Sequence, residues 1–197
     1  EYVSPRDERL QWLTGFTGSA GFCIVLPDVA GVFIDGRYRT QVKGQVDLGH
    51  FTPVPWPDVL PGPWIAEHLA VGVVGYDPWL HTASAIERLQ QSIAKTGAEL
   101  VAVESNPLDA VWSAQPPPPL SPAVPHPLQY SGRDSAAKRE EIATRLAAEG
   151  AEALVITQPD NIAWLLNIRG GDVPHTPLPL SFALLRRDAR LTLFIDQ

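Results

Sequence analysis

Short apolar runs alternate with helix-type spacing along the first half of the chain. Residues 22–26 and 31–34 are apolar runs separated by Pro27 and Asp28, which predicts two strands joined by a turn. Beyond them, apolar residues recur at every fourth position, as one face of a helix requires. These residues are Tyr38, Val42 and Val46. The start of the chain therefore predicts a β-hairpin followed by a helix.

The same alternation continues to about residue 103. Strands are predicted at residues 71–74 and 100–103, with a helix between them. Ser84 and Glu87 have the spacing of a capping box that begins this helix, and Gly97 is placed to end it. Strands alternating with helices predict an α/β lobe.

The second half of the chain has a similar order of elements. The predicted elements are a helix at residues 134–149, a strand at 153–157, a helix at 160–166 and strands at 180–185 and 191–195. Gly150 is placed to end the first of these helices, and Pro159 suits the first turn of the next. The halves share no clear sequence repeat, so two related α/β lobes are a hypothesis from element order.

Prolines concentrate between the two halves. Seven of the residues from 113 to 129 are proline, including the run at 116–119, which favours extended polyproline geometry. Such a segment can bind an aromatic groove, but the structured sequence that flanks it closely favours a semi-rigid spacer. We therefore predict a domain at residues 1–114, a linker at 115–130 and a second domain at 131–197.

Composition narrows the class of protein. With 15 Lys and Arg against 22 Asp and Glu, the net charge is -7, and beyond the pair Arg186 and Arg187 there is no basic cluster, which argues against nucleic-acid binding. No run approaches the roughly 20 apolar residues of a membrane helix. The single cysteine, Cys23, lies in an apolar run and is expected to pack as a small hydrophobe. The absence of an intramolecular disulfide suits the cytoplasm.

The ends of the sequence predict a piece of a longer protein. There is no methionine among the 197 residues, and the chain stops on an apolar, strand-like run. Both ends are therefore expected to be cuts.

Three patterns in the sequence are candidates for binding or catalytic chemistry. The glycine-rich run at residues 15–21 leads into a strand and lacks the lysine of a phosphate-binding loop, so a tight turn is predicted. Asp172 and His175 have metal-type spacing in a loop, and two ligands do not make a closed site. Arg37 follows a predicted strand end, where a binding residue and a solvated turn residue are both open interpretations.

Four segments taken in order carry a family resemblance. They are residues 12–21 (WLTGFTGSAG), 35–38 (DGRY), 106–112 (NPLDAVW) and 160–177 (DNIAWLLNIRGGDVPHTP). Together they resemble the cytosolic-type Xaa-Pro aminopeptidases (aminopeptidase P), within the creatinase, prolidase and methionine aminopeptidase superfamily. The resemblance spans nearly the whole chain.

This resemblance implies a fold and a division of labour. The fold is α/β, with two creatinase/prolidase N-terminal-type lobes whose mixed sheets are flanked by helices, and without the catalytic pita-bread domain. That further domain would hold two Mn²⁺ ions through two Asp, one His and two Glu, so no catalytic residue and no cofactor are expected in this chain. The first lobe is expected to lack its first strand, and the second to stop about halfway.

The resemblance also implies roles for particular residues. The parent enzyme would be a cytoplasmic homodimer that removes an N-terminal residue preceding proline. Arg37 would touch the peptide substrate or gate the active site of the partner subunit, while Asp172 and His175 would line its entrance. For the loop that carries Asp172 and His175, a purely fold-turning role is an open alternative.

Two other readings remain open from the sequence. Creatinase-like N-terminal domains also occur as binding modules in chromatin factors without peptidase activity, and prolidases and creatinases are related enzymes. The acidic charge and the match to all four segments favour the aminopeptidase.

Overall fold

The computed structural model describes residues 2–196, which divide into two compact units. The first unit is Glu8–Gln115, and the second comprises Tyr2–Asp7 together with the residues from 116 onward. In the second unit, the Arg6 Nη1 donates to the carbonyl of Pro116 at 3.1 Å. The first few residues therefore pack with the second unit, although they precede the first unit in the sequence.

The first unit contains five strands and five α-helices. The strands are β1 (Gly21–Val25), β2 (Ala30–Ile34), β3 (Thr52–Pro55), β4 (Val71–Tyr76) and β5 (Gly97–Ala102). The helices are α1 (Arg9–Thr14), α2 (Gln41–Gln45), α3 (Pro61–His68), α4 (Ala83–Ile93) and α5 (Pro107–Val111). β1 and β2 form the predicted antiparallel hairpin, and β3 joins β2 in parallel, so this sheet is mixed. β4 and β5 pair in parallel as a separate sheet.

One hydrophobic core joins both sheets of the first unit to helices α3 and α4. Within this core, Phe33 has no exposed surface, and its ring stacks on Phe22 with 4.6 Å between centroids and packs edge-to-face with Trp64 at 5.4 Å. Ile93 of α4 and Leu100 of β5 complete the cluster. The predicted α/β character of this unit is confirmed.

Three local predictions in the first unit were wrong. α4 begins after Thr82, whose hydroxyl accepts from the backbone N–H of Ala85 at 3.2 Å, so the cap lies two residues before Ser84. α4 ends at Ile93, so Gly97 does not end this helix and is instead the first residue of β5. One helix was predicted from the apolar residues at every fourth position, but the structure has a short 3-10 helix, Gly36–Tyr38, followed by the separate helix α2.

Cys23 lies in β1 and packs against a second apolar cluster, whose buried members are Phe16, Val32, Ile34, Val42 and Val46. Burial raises the pKa of its thiol to about 11. The thiol is therefore neutral at ordinary pH, as expected for a cysteine that serves as a small hydrophobe.

Up to residue 196, the second unit contains five strands and three α-helices. The strands are β6 (Val124–Pro125), β7 (Ala153–Ile156), β8 (Ile168–Arg169), β9 (Phe182–Arg186) and β10 (Leu191–Phe194). The helices are α6 (Leu128–Ser131), α7 (Ser135–Ala148) and α8 (Pro159–Leu166). β9 pairs antiparallel with both β10 and β7, and β6 pairs antiparallel with β8.

The predicted helices of the second unit are confirmed, and their ends follow local signals. Asp134 caps α7 by accepting from the N–H of Ala136 at 2.7 Å, and Pro159 occupies the first turn of α8. Both helices pack on the antiparallel sheet around Ile162 and Leu185, which have no exposed surface.

The proline-rich segment belongs to the second unit. Within the predicted linker, Val124 pairs with Arg169, and the N–H of His126 donates to the carbonyl of Asn167 at 2.7 Å. Val124 and Pro125 of this segment therefore form a short strand, in which proline is tolerated because the strand lies at the edge of its sheet. No helix among residues 2–196 has both the length and the apolar character needed to cross a membrane.

Candidate functional site

Arg37 stands at the end of β2, where the chain turns sharply after Asp35. The Asp35 carboxylate accepts from the backbone N–H of Arg37 at 2.9 Å and pairs with its guanidinium, with Nη2 at 2.6 Å from Oδ2. These hydrogen bonds from the Arg37 guanidinium lower the pKa of Asp35. The side chain of Arg37 is 58% exposed, so the paired guanidinium still faces solvent.

Tyr38 connects this turn to the glycine-rich run. Its hydroxyl lies 2.7 Å from the Ser19 Oγ and accepts from the Ser19 N–H at 3.2 Å. The Arg37 guanidinium carbon lies 5.2 Å from the centre of the Tyr38 ring, a cation–π distance. Two of the four segments that carry the family resemblance therefore meet here, and Ser19 acts as a hydrogen-bonding partner in a turn.

Asp172 and His175 lie in the second unit, on the loop that follows β8. Asp172 is buried, with 5% of its surface exposed, and both carboxylate oxygens accept from backbone amides, Oδ1 from Ser121 at 3.0 Å and Oδ2 from Leu180 at 2.7 Å. His175 is exposed and lies three residues further along, at the tip of the loop. The two residues predicted to line an entrance therefore differ sharply in their access to a ligand.

The described side chains form no metal-binding cluster. Among residues 2–196, no group of three or more His, Cys, Asp or Glu side chains is arranged to hold a metal ion. The side chains in the described part of the chain therefore do not fit the ligand set of two Asp, one His and two Glu that the resemblance implies for Mn²⁺.

Lys138 was not singled out from the sequence as a buried group. It lies on α7 with 2% of its surface exposed, and its Nζ donates to the Trp164 carbonyl at 2.8 Å and to the Asn167 Oδ1 at 2.7 Å. The same Nζ lies 4.4 Å from the centre of the Trp164 ring. Lys138 thereby ties α7 to the end of α8, just before the strand that leads to the Asp172 loop.

Two matches to a known protein family together cover nearly the whole chain. A match to the Creatinase/Prolidase N-terminal domain covers residues 2–111, and a second match to a domain of that description covers residues 114–197. This chain belongs to the creatinase/prolidase N-terminal domain family. The resemblance inferred from the four segments is confirmed.

Individual members of the family align along the whole chain. Aminopeptidase P1 of Arabidopsis thaliana is 36% identical over 198 residues, covering 100% of this chain and 30% of its own length. A probable Xaa-Pro aminopeptidase P of Chaetomium globosum is 39% identical over 206 residues, covering 100% of this chain and 32% of its own length. The chain thus spans about 30% of the length of these curated relatives.

A solved structure matches equally completely. The X-prolyl aminopeptidase of Caenorhabditis elegans, described as a cytosolic enzyme with a di-nuclear active site, superposes with a TM-score of 0.93 at 31% identity. That match covers 100% of this chain and 32% of the worm enzyme. The chain therefore corresponds to the N-terminal region of proteins of the Xaa-Pro aminopeptidase type.

Proposed function

We propose that this chain is the non-catalytic N-terminal portion of a metal-dependent Xaa-Pro aminopeptidase. The parent enzyme removes an N-terminal residue that precedes proline. The observation that carries the proposal is the superposition of the entire chain on the Caenorhabditis elegans X-prolyl aminopeptidase at a TM-score of 0.93. Matches to aminopeptidase P proteins of plants and fungi along the whole chain support it further.

In this proposal the chain supplies shape, and a further domain supplies chemistry. The further domain holds two divalent metal ions, expected to be Mn²⁺, which activate water and stabilise the charge that develops on the scissile carbonyl. The chain described here contributes to dimerisation and restricts which peptides reach that domain. We place the enzyme in the cytoplasm, as a homodimer acting on peptides with proline at the second position.

Arg37 is the residue of the first unit that we propose to contact the peptide. Three features support this role: its guanidinium is largely exposed, Asp35 fixes its direction, and Tyr38 lies beneath it. A guanidinium held in this way is already ordered, so little further rotamer freedom is lost when it binds a peptide carbonyl or carboxylate. We infer that it touches the substrate or gates the active site of the partner subunit.

Arg37→Ala in the full-length enzyme is expected to lower kcat/KM for Arg-Pro-Pro-type peptides by about tenfold. The reason is the loss of one hydrogen bond from a charged donor, worth about 1.5 kcal/mol or more. Steady-state kinetics measure the effect. Arg39→Ala is the matched control, because Arg39 is 59% exposed and also pairs with an aspartate, Asp58. An unchanged kcat/KM in Arg37→Ala would rule out this role.

The fragment itself is expected to be inactive. Incubated with an Xaa-Pro peptide and Mn²⁺, the 197-residue chain should release no N-terminal residue, because we place the metal ligands in a further domain. Isothermal titration calorimetry should likewise detect no tight binding of Mn²⁺. Micromolar affinity for Mn²⁺ in this chain would contradict the proposed division of labour.

A further inference from the structure

The loop from Gly170 to Leu180 is a compact projection of the second unit. Its two arms are joined by backbone hydrogen bonds, from the Gly170 N–H to the Pro177 carbonyl and from the Asp172 N–H to the Leu178 carbonyl, each 3.3 Å long. At the tip, Val173 and Thr176 pair as an isolated bridge. The loop therefore has an internal ladder of its own.

The approach of the two arms requires glycine at position 170. A Cβ placed there would lie 2.6 Å from the Pro179 backbone nitrogen and 2.8 Å from its Cα, closer than atoms in van der Waals contact. Pro179 is itself almost fully buried. The base of the loop is therefore fixed by packing as well as by hydrogen bonds.

Asp172 anchors this loop to the proline-rich segment. Its carboxylate bridges two backbone amides that are far apart in sequence, those of Ser121 and Leu180. Hydrogen bonds to an ionised carboxylate are about twice as strong as neutral ones. Because both oxygens are occupied and the side chain is buried, Asp172 is poorly placed to bind a peptide directly.

His175 is held at the tip in an unusual backbone conformation. Its φ is +59°, in the left-handed region. This region is unfavourable for residues with a Cβ, whereas glycine adopts it freely. Its side chain is nonetheless exposed. Such a conformation persists where the surrounding structure holds it in place. The anchored loop thus keeps a strained residue, whose imidazole faces solvent, in a fixed place.

We propose that His175 contacts the peptide substrate and that Asp172 is a positioning residue that acts through it. This proposal rests on the proposed function. An imidazole offers one N–H donor and one nitrogen acceptor, which match the carbonyl and amide groups of a peptide backbone. Asp172 fixes the base of the loop, so that the imidazole meets the peptide without loss of loop freedom on binding.

Kinetics of the full-length enzyme on an Arg-Pro-Pro-type peptide test the contact. His175→Ala is expected to raise KM about fivefold and to leave kcat within twofold, because the imidazole binds the peptide and takes no part in bond cleavage. His175→Gly should raise KM equally, since glycine accepts the left-handed backbone and removes only the imidazole. A normal KM in His175→Gly would overturn the contact, whatever His175→Ala does.

A double-mutant comparison tests the role of Asp172. Asp172→Asn replaces one carboxylate oxygen with an NH2 group, which cannot accept from a backbone N–H, so one of the two bonds is lost and the other loses its charge. The variant should raise KM about as much as His175→Ala. The double variant should be no worse than either single variant, because both remove the same interaction. If KM of the double variant rose by the product of the two single-variant increases, Asp172 would not act through His175. Asp188→Asn is the matched control, since exposed Asp188 also accepts from a backbone N–H, that of Arg190.

A readout without activity separates this inference from the proposed function. Hydrogen exchange of the Ser121 and Leu180 amides in the 197-residue chain should be at least tenfold faster in Asp172→Asn than in the wild type. Unchanged exchange would overturn the anchor. A full-length wild type that hydrolyses no Xaa-Pro peptide would overturn the proposed function and the peptide contact, whereas hydrolysis with unchanged KM in the His175 variants would overturn the contact alone.

Discussion

Replacing Lys138 with alanine is expected to destabilise the second unit by about 3 kcal/mol. The variant removes the charged donor to two part-buried acceptors, the Trp164 carbonyl and the Asn167 Oδ1, and a hydrogen bond from a charged group contributes about 1.5 to 3 kcal/mol. The aliphatic stem of the lysine packs in the same place and is lost with it. Urea denaturation monitored by fluorescence and circular dichroism measures the change.

Two further variants identify the cause. Burial, and secondarily the charges of Arg133 and Arg169, lower the pKa of Lys138. Lys138→Met keeps the stem and removes the buried charge, so it should be less destabilised than Lys138→Ala. Lys95→Ala, at an exposed position, should stay within about 0.5 kcal/mol of the wild type. A loss below about 1 kcal/mol in Lys138→Ala would show that the described bonds contribute little.

Phe33→Ala should reduce the stability of the first unit by about 4 kcal/mol. Phe33 has no exposed surface and contacts the rings of Phe22 and Trp64, so truncation leaves a cavity between the strands and α3. Thermal unfolding followed by circular dichroism should show a clearly lower midpoint. Leucine fills much of this cavity, so the unfolding midpoint of Phe33→Leu should lie between those of Phe33→Ala and the wild type.

The comparison residue for this prediction is Phe194, which is 56% exposed. Phe194→Ala removes the same side chain from a position where little surface is buried, so its loss should stay below about 1 kcal/mol. Equal losses at Phe33 and Phe194 would contradict the core described for the first unit.

Elements with strong local signals were predictable from the sequence. α7 has an aspartate at its start, and α8 has a proline in its first turn, so both helices were placed within one residue. β3 was missed because two of its four residues are prolines, Pro53 and Pro55. Proline has no N–H to donate within a sheet, so its presence argues against a strand. Thr82 was passed over as a cap because the pattern at Ser84 and Glu87 also fits, and only the backbone geometry decides between them.

The candidate site shows the same limit. The pairing of Asp35 with Arg37 joins neighbours in sequence and follows from the turn. The bond between Ser19 and Tyr38 spans 19 residues, and that between Asp172 and Ser121 spans 51. Such contacts depend on how strands and loops pack, which the local pattern of residues does not encode. The sequence motif therefore indicated Asp172 as a candidate residue, but the sequence did not predict its hydrogen-bond partners.

The activity of the full-length protein is the most direct test of the proposal that this chain is part of an Xaa-Pro aminopeptidase. The purified protein, supplied with Mn²⁺, should release the first residue of Arg-Pro-Pro and leave Arg-Ala-Pro intact, as followed by chromatography of the products. Hydrolysis of Xaa-Pro dipeptides alone would indicate a prolidase. A folded full-length protein that cleaves neither kind of substrate would contradict the proposal and favour a binding module.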